Sequence, residues 1–222
     1  MDAGTDGLII PDISDILDSV DYRLQDPDTG PVSEQHAENF TDHKKRKAWG
    51  GSASQHRPEP RCDFAPNRNT ITAMPGFRVI SVWKKSPMGK RLSQIKDSED
   101  MPHFFADAVA SMIRSVIGDN PAAGGWVLTV PPPRRHKERN FATVTAIEIA
   151  GLLGIRFVSL AKAHKLGRVN AEYTLAHPVP DEPNIIIFDD IVTTGSTLCS
   201  MHRLLKPFGK NLAFFAGIKN HS

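Results

Sequence analysis

The feature that most constrains the fold is an apolar run that ends in two acidic residues and a hydroxyl-rich turn. Residues 185–197 read Ile-Ile-Ile-Phe-Asp-Asp-Ile-Val-Thr-Thr-Gly-Ser-Thr. Four consecutive apolar residues are typical of a strand covered on both faces, as in a parallel sheet. Open α/β sheets bind their ligands at the carboxyl ends of such strands. The segment therefore predicts a buried strand, a ligand-binding turn and the start of a helix.

The other apolar patterns alternate between strand and helix along the second part of the chain. Helical periodicity occurs over residues 102–117, 141–153 and 197–207, and strand-like runs occupy residues 77–83, 126–130, 155–160 and 212–218. Alternating strands and helices predict an α/β fold, a parallel sheet flanked by helices. We expect this domain to span residues 71–222.

The first part of the chain has a different character. Residues 1–24 contain a short amphipathic helix over residues 12–24, which either docks on a partner or packs on its own domain. Residues 25–70 are rich in Pro, Gly, Ser and charge, and bury too little apolar surface to offset the entropy of ordering. They are expected to be a largely disordered linker. Its basic run at residues 44–47 is typical of a solvated linker, and the alternative is a weak contact with nucleic acid.

Charge is distributed unevenly along the chain. Residues 1–70 carry 13 acidic against 8 basic side chains, whereas residues 71–222 carry 12 against 19. A basic domain favours an anionic ligand, either a phosphorylated small molecule or a nucleic acid. The two cysteines, Cys62 and Cys199, are too few for a disulfide framework. With no apolar run of about 20 residues and no secretion signal, we expect a cytoplasmic protein without a membrane contact.

The hydroxyl-rich turn is suited to a phosphate group. Its backbone N–H groups and hydroxyls surround the start of a helix, and glycine at its centre allows close approach of a ligand; the residues are Thr193, Thr194, Gly195, Ser196 and Thr197. Asp189 and Asp190 would repel a phosphate, so we assign them to sugar hydroxyls and to indirect contact with a Mg²⁺ ion that the ligand holds. The absence of lysine excludes a P-loop, and a single glycine excludes a dinucleotide-binding fingerprint. The alternative, an ordinary helix cap, leaves the paired acids without a role.

All thirteen positions of residues 185–197 resemble the signature of type I phosphoribosyltransferases, and the resemblance extends over residues 77–218. It implies binding of phosphoribosyl diphosphate with Mg²⁺ and transfer of the phosphoribosyl group to a nitrogen nucleophile, a nucleobase or an amine. The chain looks most like the ComF-like group, because a proline-rich strand end runs into Arg139, Asn140 and Phe141. It departs from that group at Asn140 and Ala142, where Gly and Asn are usual, and it lacks the amino-terminal zinc module.

The resemblance also gives roles to basic residues outside the turn. A diphosphate-binding loop is implied at four cations, Arg134, Arg135, Lys137 and Arg139, of which Arg139 joins Asp189 and Asp190 as a catalytic residue. Residues 162–178 match the position of a closing loop, in which Arg168 is a substrate-binding candidate. The alternative for the basic loop is a solvated surface, and the alternative for residues 162–178 is a mobile loop without a catalytic role.

Two other functions fit the same residues. One is a non-catalytic sensor that keeps the nucleotide site for regulation, and the other is a ComF-like nucleic-acid accessory protein. The acceptor is not encoded in any recognisable motif, and we expect the hood over it to come from residues before about position 100. The resemblance further implies a homodimer.

Overall fold

The computed structural model describes residues 59–65, 69–133, 140–163 and 172–220. The amphipathic helix predicted at residues 12–24, the basic run at 44–47 and most of the predicted linker lie outside the described residues.

The centre of the fold is a six-stranded sheet in the order β2-β3-β10-β9-β5-β6. Its strands are β2 Thr70–Met74, β3 Phe77–Lys84, β5 Trp126–Thr129, β6 Arg156–Phe157, β9 Asn184–Val192 and β10 Asn211–Lys219. Five of them are mutually parallel, and β2 alone pairs antiparallel, with β3. The predicted α/β class is confirmed. The sheet is nevertheless mixed, because Pro75 and Gly76 form a two-residue turn that folds β2 back onto β3.

Helices cover both faces of this sheet. The helices α1 Leu92–Asp97, α2 Met101–Ile117, α3 Phe141–Leu153 and α4 Ser196–Leu205 agree well with the predicted patterns, except that α1 was not predicted. Ile186 and Phe188 of β9 belong to the core beneath α2 and α3, whereas Ile185 and Ile187 belong to the core beneath α4. All four are fully buried. Each such side chain contributes about 1.5–3 kcal/mol, so the apolar run anchors the sheet from both sides.

Residues 59–65 belong to the folded domain, so the linker prediction is wrong for them. The short strand β1, Arg61–Cys62, pairs antiparallel with β4, Lys90–Arg91. Cys62 is fully buried, and the ring of Phe64 packs edge-on against Trp83 at 5.1 Å. A two-residue strand has no periodicity, and its partner lies far along the chain. Local sequence therefore carries no signal for it.

Two other boundaries differ from the predictions. Strand β9 continues through Val192, so Asp189 and Asp190 are strand residues and the turn begins only at Thr193. The polar stretch after the third predicted strand contains a small antiparallel pair, β7 Ala161–Ala163 with β8 Tyr173–Leu175. None of the helices in the described ranges has the length and apolar character needed to span a bilayer.

Candidate functional site

A cavity of about 750 Å³ opens at the carboxyl ends of three neighbouring parallel strands. Its wall includes Pro131–133 after β5, the end of β9 with the following turn, and Asn220 after β10. Glu59, Ser93 and Lys96 enclose it from the β1–α1 side. This is the edge at which open α/β sheets bind ligands. Glu59, Ser93 and Lys96 lie before position 100, and the expected hood over the acceptor stays a prediction.

The turn of residues 193–197 forms one end of the cavity. Helix α4 begins at Ser196, and its N-cap residue Gly195 has no side chain with which to cap the first turn. The Thr194 hydroxyl lies 3.3 Å from the Ser196 hydroxyl and accepts a hydrogen bond from the Ser196 backbone N–H at 3.5 Å. The first N–H groups of a helix lack intrahelical acceptors, and the helix dipole makes this end positive. The cavity therefore ends in a site suited to an anion.

The two acids lie in the wall beside this turn. Asp189 is half-buried and accepts a hydrogen bond from the backbone N–H of Asp190 at 3.0 Å. Asp190 is buried, and its Oδ2 lies 2.6 Å from the Nζ of Lys96. The structure thus brings Asp189, Asp190 and the turn into one cavity. Their individual roles stay predictions.

The predicted basic residues are outside the described part of the chain. Arg134, Arg135, Lys137 and Arg139 lie in the undescribed segment 134–139, and Arg168 lies in 164–171. Pro133 and Asn140, the described neighbours of the first segment, both line the cavity.

Four polar residues of the cavity wall were missed by sequence reasoning, namely Glu59, Ser93, Lys96 and Asn220. Glu59 accepts hydrogen bonds from the backbone N–H of Ser93 at 2.8 Å and from its hydroxyl at 3.0 Å. These bonds lower the pKa of the Glu59 carboxyl and tie the start of α1 to β1. The Asn220 side-chain amide donates to the Thr193 hydroxyl at 3.3 Å. No local pattern identifies these residues, because each reaches the cavity only through folding.

Comparison with known proteins gives structural similarity alone. No family model matches the chain, and no curated protein matches it.

Solved phosphoribosyltransferases are similar to this chain. Adenine phosphoribosyltransferase from Saccharomyces cerevisiae, solved with an imino-altritol bisphosphate and adenine, shares 19% identity over 55% of this chain and 70% of its own, with a TM-score of 0.38. The adenine phosphoribosyltransferase from Leishmania tarentolae shares 14% identity over 68% of this chain and 94% of its own, with a TM-score of 0.41. The purine phosphoribosyltransferase from Pyrococcus horikoshii shares 15% identity over 55% of this chain and 84% of its own, with a TM-score of 0.38. At such low identities the chemistry of the site has to be argued from its own residues, and the ComF-like resemblance stays a prediction.

Proposed function

We propose that this protein binds phosphoribosyl diphosphate and transfers its phosphoribosyl group to a nitrogen nucleophile. The observation that carries the proposal is that the acids of β9 and the start of α4 line the same cavity. A single ligand with hydroxyl groups at one part and a phosphate at another satisfies both. A ribose phosphate has this combination. The volume of about 750 Å³ is within the usual range for a small-molecule site.

The 5′-phosphate is assigned to residues 193–197. There, backbone N–H groups, the hydroxyls of Thr194 and Ser196, and the positive end of α4 act together on an anion. A helix start contributes up to about 2 kcal/mol in a partly buried setting, and each charge-assisted hydrogen bond adds to it. Asn220 supports this end by donating to Thr193.

The ribose hydroxyls are assigned to the acids. Asp189 is the more accessible of the two, and its carboxylate is oriented by the backbone N–H of Asp190. Carboxylate oxygens accept hydrogen bonds from two neighbouring hydroxyl groups, which orients the sugar and its C1 atom.

A Mg²⁺ ion fits Asp189 better than it fits Asp190. Asp189 lines the cavity and is the more accessible of the two acids, and one oxygen of Asp190 is in an ion pair with Lys96. Within the described ranges, no three His, Cys, Asp or Glu residues are grouped so as to hold a metal. The ion would therefore be held mainly by the diphosphate, and would neutralise charge on that group as it leaves.

The diphosphate is assigned to Arg134, Arg135, Lys137 and Arg139, with Arg168 covering it. Support comes from Pro133 and Asn140, which line the cavity on either side of residues 134–139. In the reaction, the bond between C1 and the diphosphate oxygen breaks with its electron pair on oxygen, and a bond forms between C1 and nitrogen. Such a transition state is oxocarbenium-like, so the protein contributes positioning and stabilisation of the leaving group.

Isothermal calorimetry with phosphoribosyl diphosphate and Mg²⁺ tests the proposal. We expect the Asp189→Asn, Asp190→Asn double variant to lose at least tenfold in affinity. A control with the same change of charge is Asp119→Asn with Asp181→Asn, since neither residue lines the cavity. Unchanged affinity in the first double variant would count against the proposed site.

Diphosphate release separates catalysis from sensing. Release in the presence of one member of a panel of nucleobases and amines supports a transferase, and binding without release across the panel supports the sensor alternative. Affinity for DNA that falls steeply with salt would instead favour the nucleic-acid alternative.

A further inference from the structure

Lys96 places a positive charge inside the cavity, next to the acid that would otherwise attract a metal. Its Nζ is 2.6 Å from Oδ2 of Asp190. The Asp190 side chain is only 10% exposed, whereas that of Lys96 is 43% exposed. Lys96 lines the same cavity as residues 193–197. The ammonium group is therefore held by a buried acid, on a partly exposed side chain that lines the cavity.

The position of Lys96 is built into the fold. It lies on α1, whose start is tied to Glu59 by two hydrogen bonds from Ser93. A third hydrogen bond fixes the same turn, because the Gln94 side chain accepts from the backbone N–H of Arg91 at 3.0 Å. Ile95, next to Lys96, is fully buried and anchors the helix in the core. The lysine stem therefore starts from a helix that is fixed by packing and hydrogen bonds at its first turn.

A lysine at this distance and a divalent cation compete for Asp190. Mg²⁺ binds carboxylate oxygens at about 2.1 Å and keeps a shell of ordered waters, for which an ammonium group in contact with the same oxygen leaves no room. The two positive charges also repel each other in a partly buried setting. An ammonium group has three donors, so Lys96 can contact Asp190 and an anionic ligand at the same time.

We propose that Lys96 supplies the positive charge beside Asp190 that a divalent cation would otherwise supply, so that a sugar monophosphate binds here without a metal. The inference rests on the proposed function, since it concerns the same ribose phosphate site. Lys96 is a specificity-determining residue in this role. A metal that accompanies a diphosphate enters with that group and does not contact Asp190.

The first test uses Mn²⁺ alone and needs no ligand. Electron paramagnetic resonance of free Mn²⁺ is compared for the full chain and for Lys96→Met. We expect Mn²⁺ binding to tighten at least tenfold in Lys96→Met and to be lost again when Asp190→Asn is added. Lys210→Met is the matched control, because Lys210 bonds to the carbonyl of Asp181 and does not line the cavity. The inference would be overturned if the unmodified chain had a Mn²⁺ site that Asp190→Asn removes. It would also be overturned if Lys96→Met gained no affinity for Mn²⁺.

The second test uses ribose 5-phosphate, measured by calorimetry in EDTA and in Mg²⁺. We expect the affinity of the unmodified chain to agree within twofold in the two conditions. The affinity of Lys96→Met for ribose 5-phosphate should be at least tenfold lower in EDTA and should recover in part in Mg²⁺. Lys96→Arg should keep most of the affinity. Dependence of the unmodified chain on Mg²⁺ would overturn the inference but leave the proposed function standing. If ribose 5-phosphate bound in neither condition, the inference and the proposed function would both be overturned for this ligand. The Mn²⁺ measurement would still decide whether Lys96 excludes a cation.

Discussion

Gly195 lies directly against the thioether of Met74. The φ angle of Gly195 is +72°, and a Cβ atom added there would come within 2.7 Å of the Met74 Sδ. Met74 is the last residue of β2, the antiparallel edge strand. The left-handed backbone favours glycine at this point of the turn, and the end of the Met74 side chain, which belongs to the edge strand, would have to move to admit a Cβ atom.

Gly195→Ala is expected to destabilise the protein more than the same change at another left-handed glycine. The left-handed backbone alone costs an alanine about 1–2 kcal/mol, and displacing the flexible end of the Met74 side chain adds about 0.5–1.5 kcal/mol. Gly154→Ala is the matched control, since Gly154 has φ +67° and nothing within 4 Å of an added Cβ. Urea unfolding should show the larger loss in the free energy of unfolding for Gly195→Ala. Adding Met74→Ala should remove part of the difference between the two glycine variants. Equal losses at the two glycines would refute the contact.

Ser196→Ala is expected to weaken phosphate binding without unfolding the protein. The Ser196 hydroxyl lies at the start of α4, 3.3 Å from the Thr194 hydroxyl. A hydrogen bond to a charged group is worth about 1.5–3 kcal/mol, so the affinity for ribose 5-phosphate should fall about 10- to 100-fold. Calorimetry measures the loss. Ser115→Ala is the control, because Ser115 bonds to the Met112 carbonyl on α2, outside the cavity; the assignment of the turn fails if both variants bind equally well.

Cys62 is expected to resist thiol reagents until the protein unfolds. Burial raises the pKa of the Cys62 thiol above 9.0, so the reactive thiolate is scarce at pH 8. In a Cys199→Ser variant, Cys62 is the only thiol of the chain. Its reaction with a disulfide reagent should be at least about 100-fold slower in buffer than in denaturing urea, because attack requires local opening. Similar rates in the two conditions would mean that residues 59–65 are not part of the folded domain.

The ion pair between Arg156 and Glu182 is expected to add a small, pH-dependent stability to the edge of the sheet. The Arg156 Nε donates to a Glu182 carboxylate oxygen at 2.9 Å, and this bond is the main cause that lowers the pKa of Glu182 below 4.5. Because the folded pKa is the lower one, the stabilisation is present at neutral pH and is lost as the pH falls below 4.5 through the folded value. Solvent screening limits it to about 0–1 kcal/mol.

A double-mutant cycle with Arg156→Ala and Glu182→Gln measures this pair. The coupling in the free energy of unfolding should shrink as the pH is lowered from 7 past 4.5, and should also shrink in 1 M salt. A coupling that grows on acidification would contradict the direction of the pKa shift.

Local patterns predicted most of the regular elements. Helix α3 was predicted with its observed bounds, Phe141–Leu153, and the buried strand at Ile185 was predicted because four apolar residues in a row need cover on both faces. The extension of β9 through Asp189 and Asp190 was missed. Charged residues normally disfavour a strand interior, but pairing with β10 continues through Val192 and overrides that preference.

The sequence by itself determined the α/β class and the order of strand, acid pair, turn and helix around residues 184–197, because these depend on periodicity and on neighbours in the chain. The tertiary structure decided which distant groups surround that turn. It placed Lys96 on Asp190, Met74 against Gly195, and Cys62 in the core. Those contacts come from strand pairing and from the packing of α1 over the sheet edge, and long-range packing leaves no local signature in the order of residues.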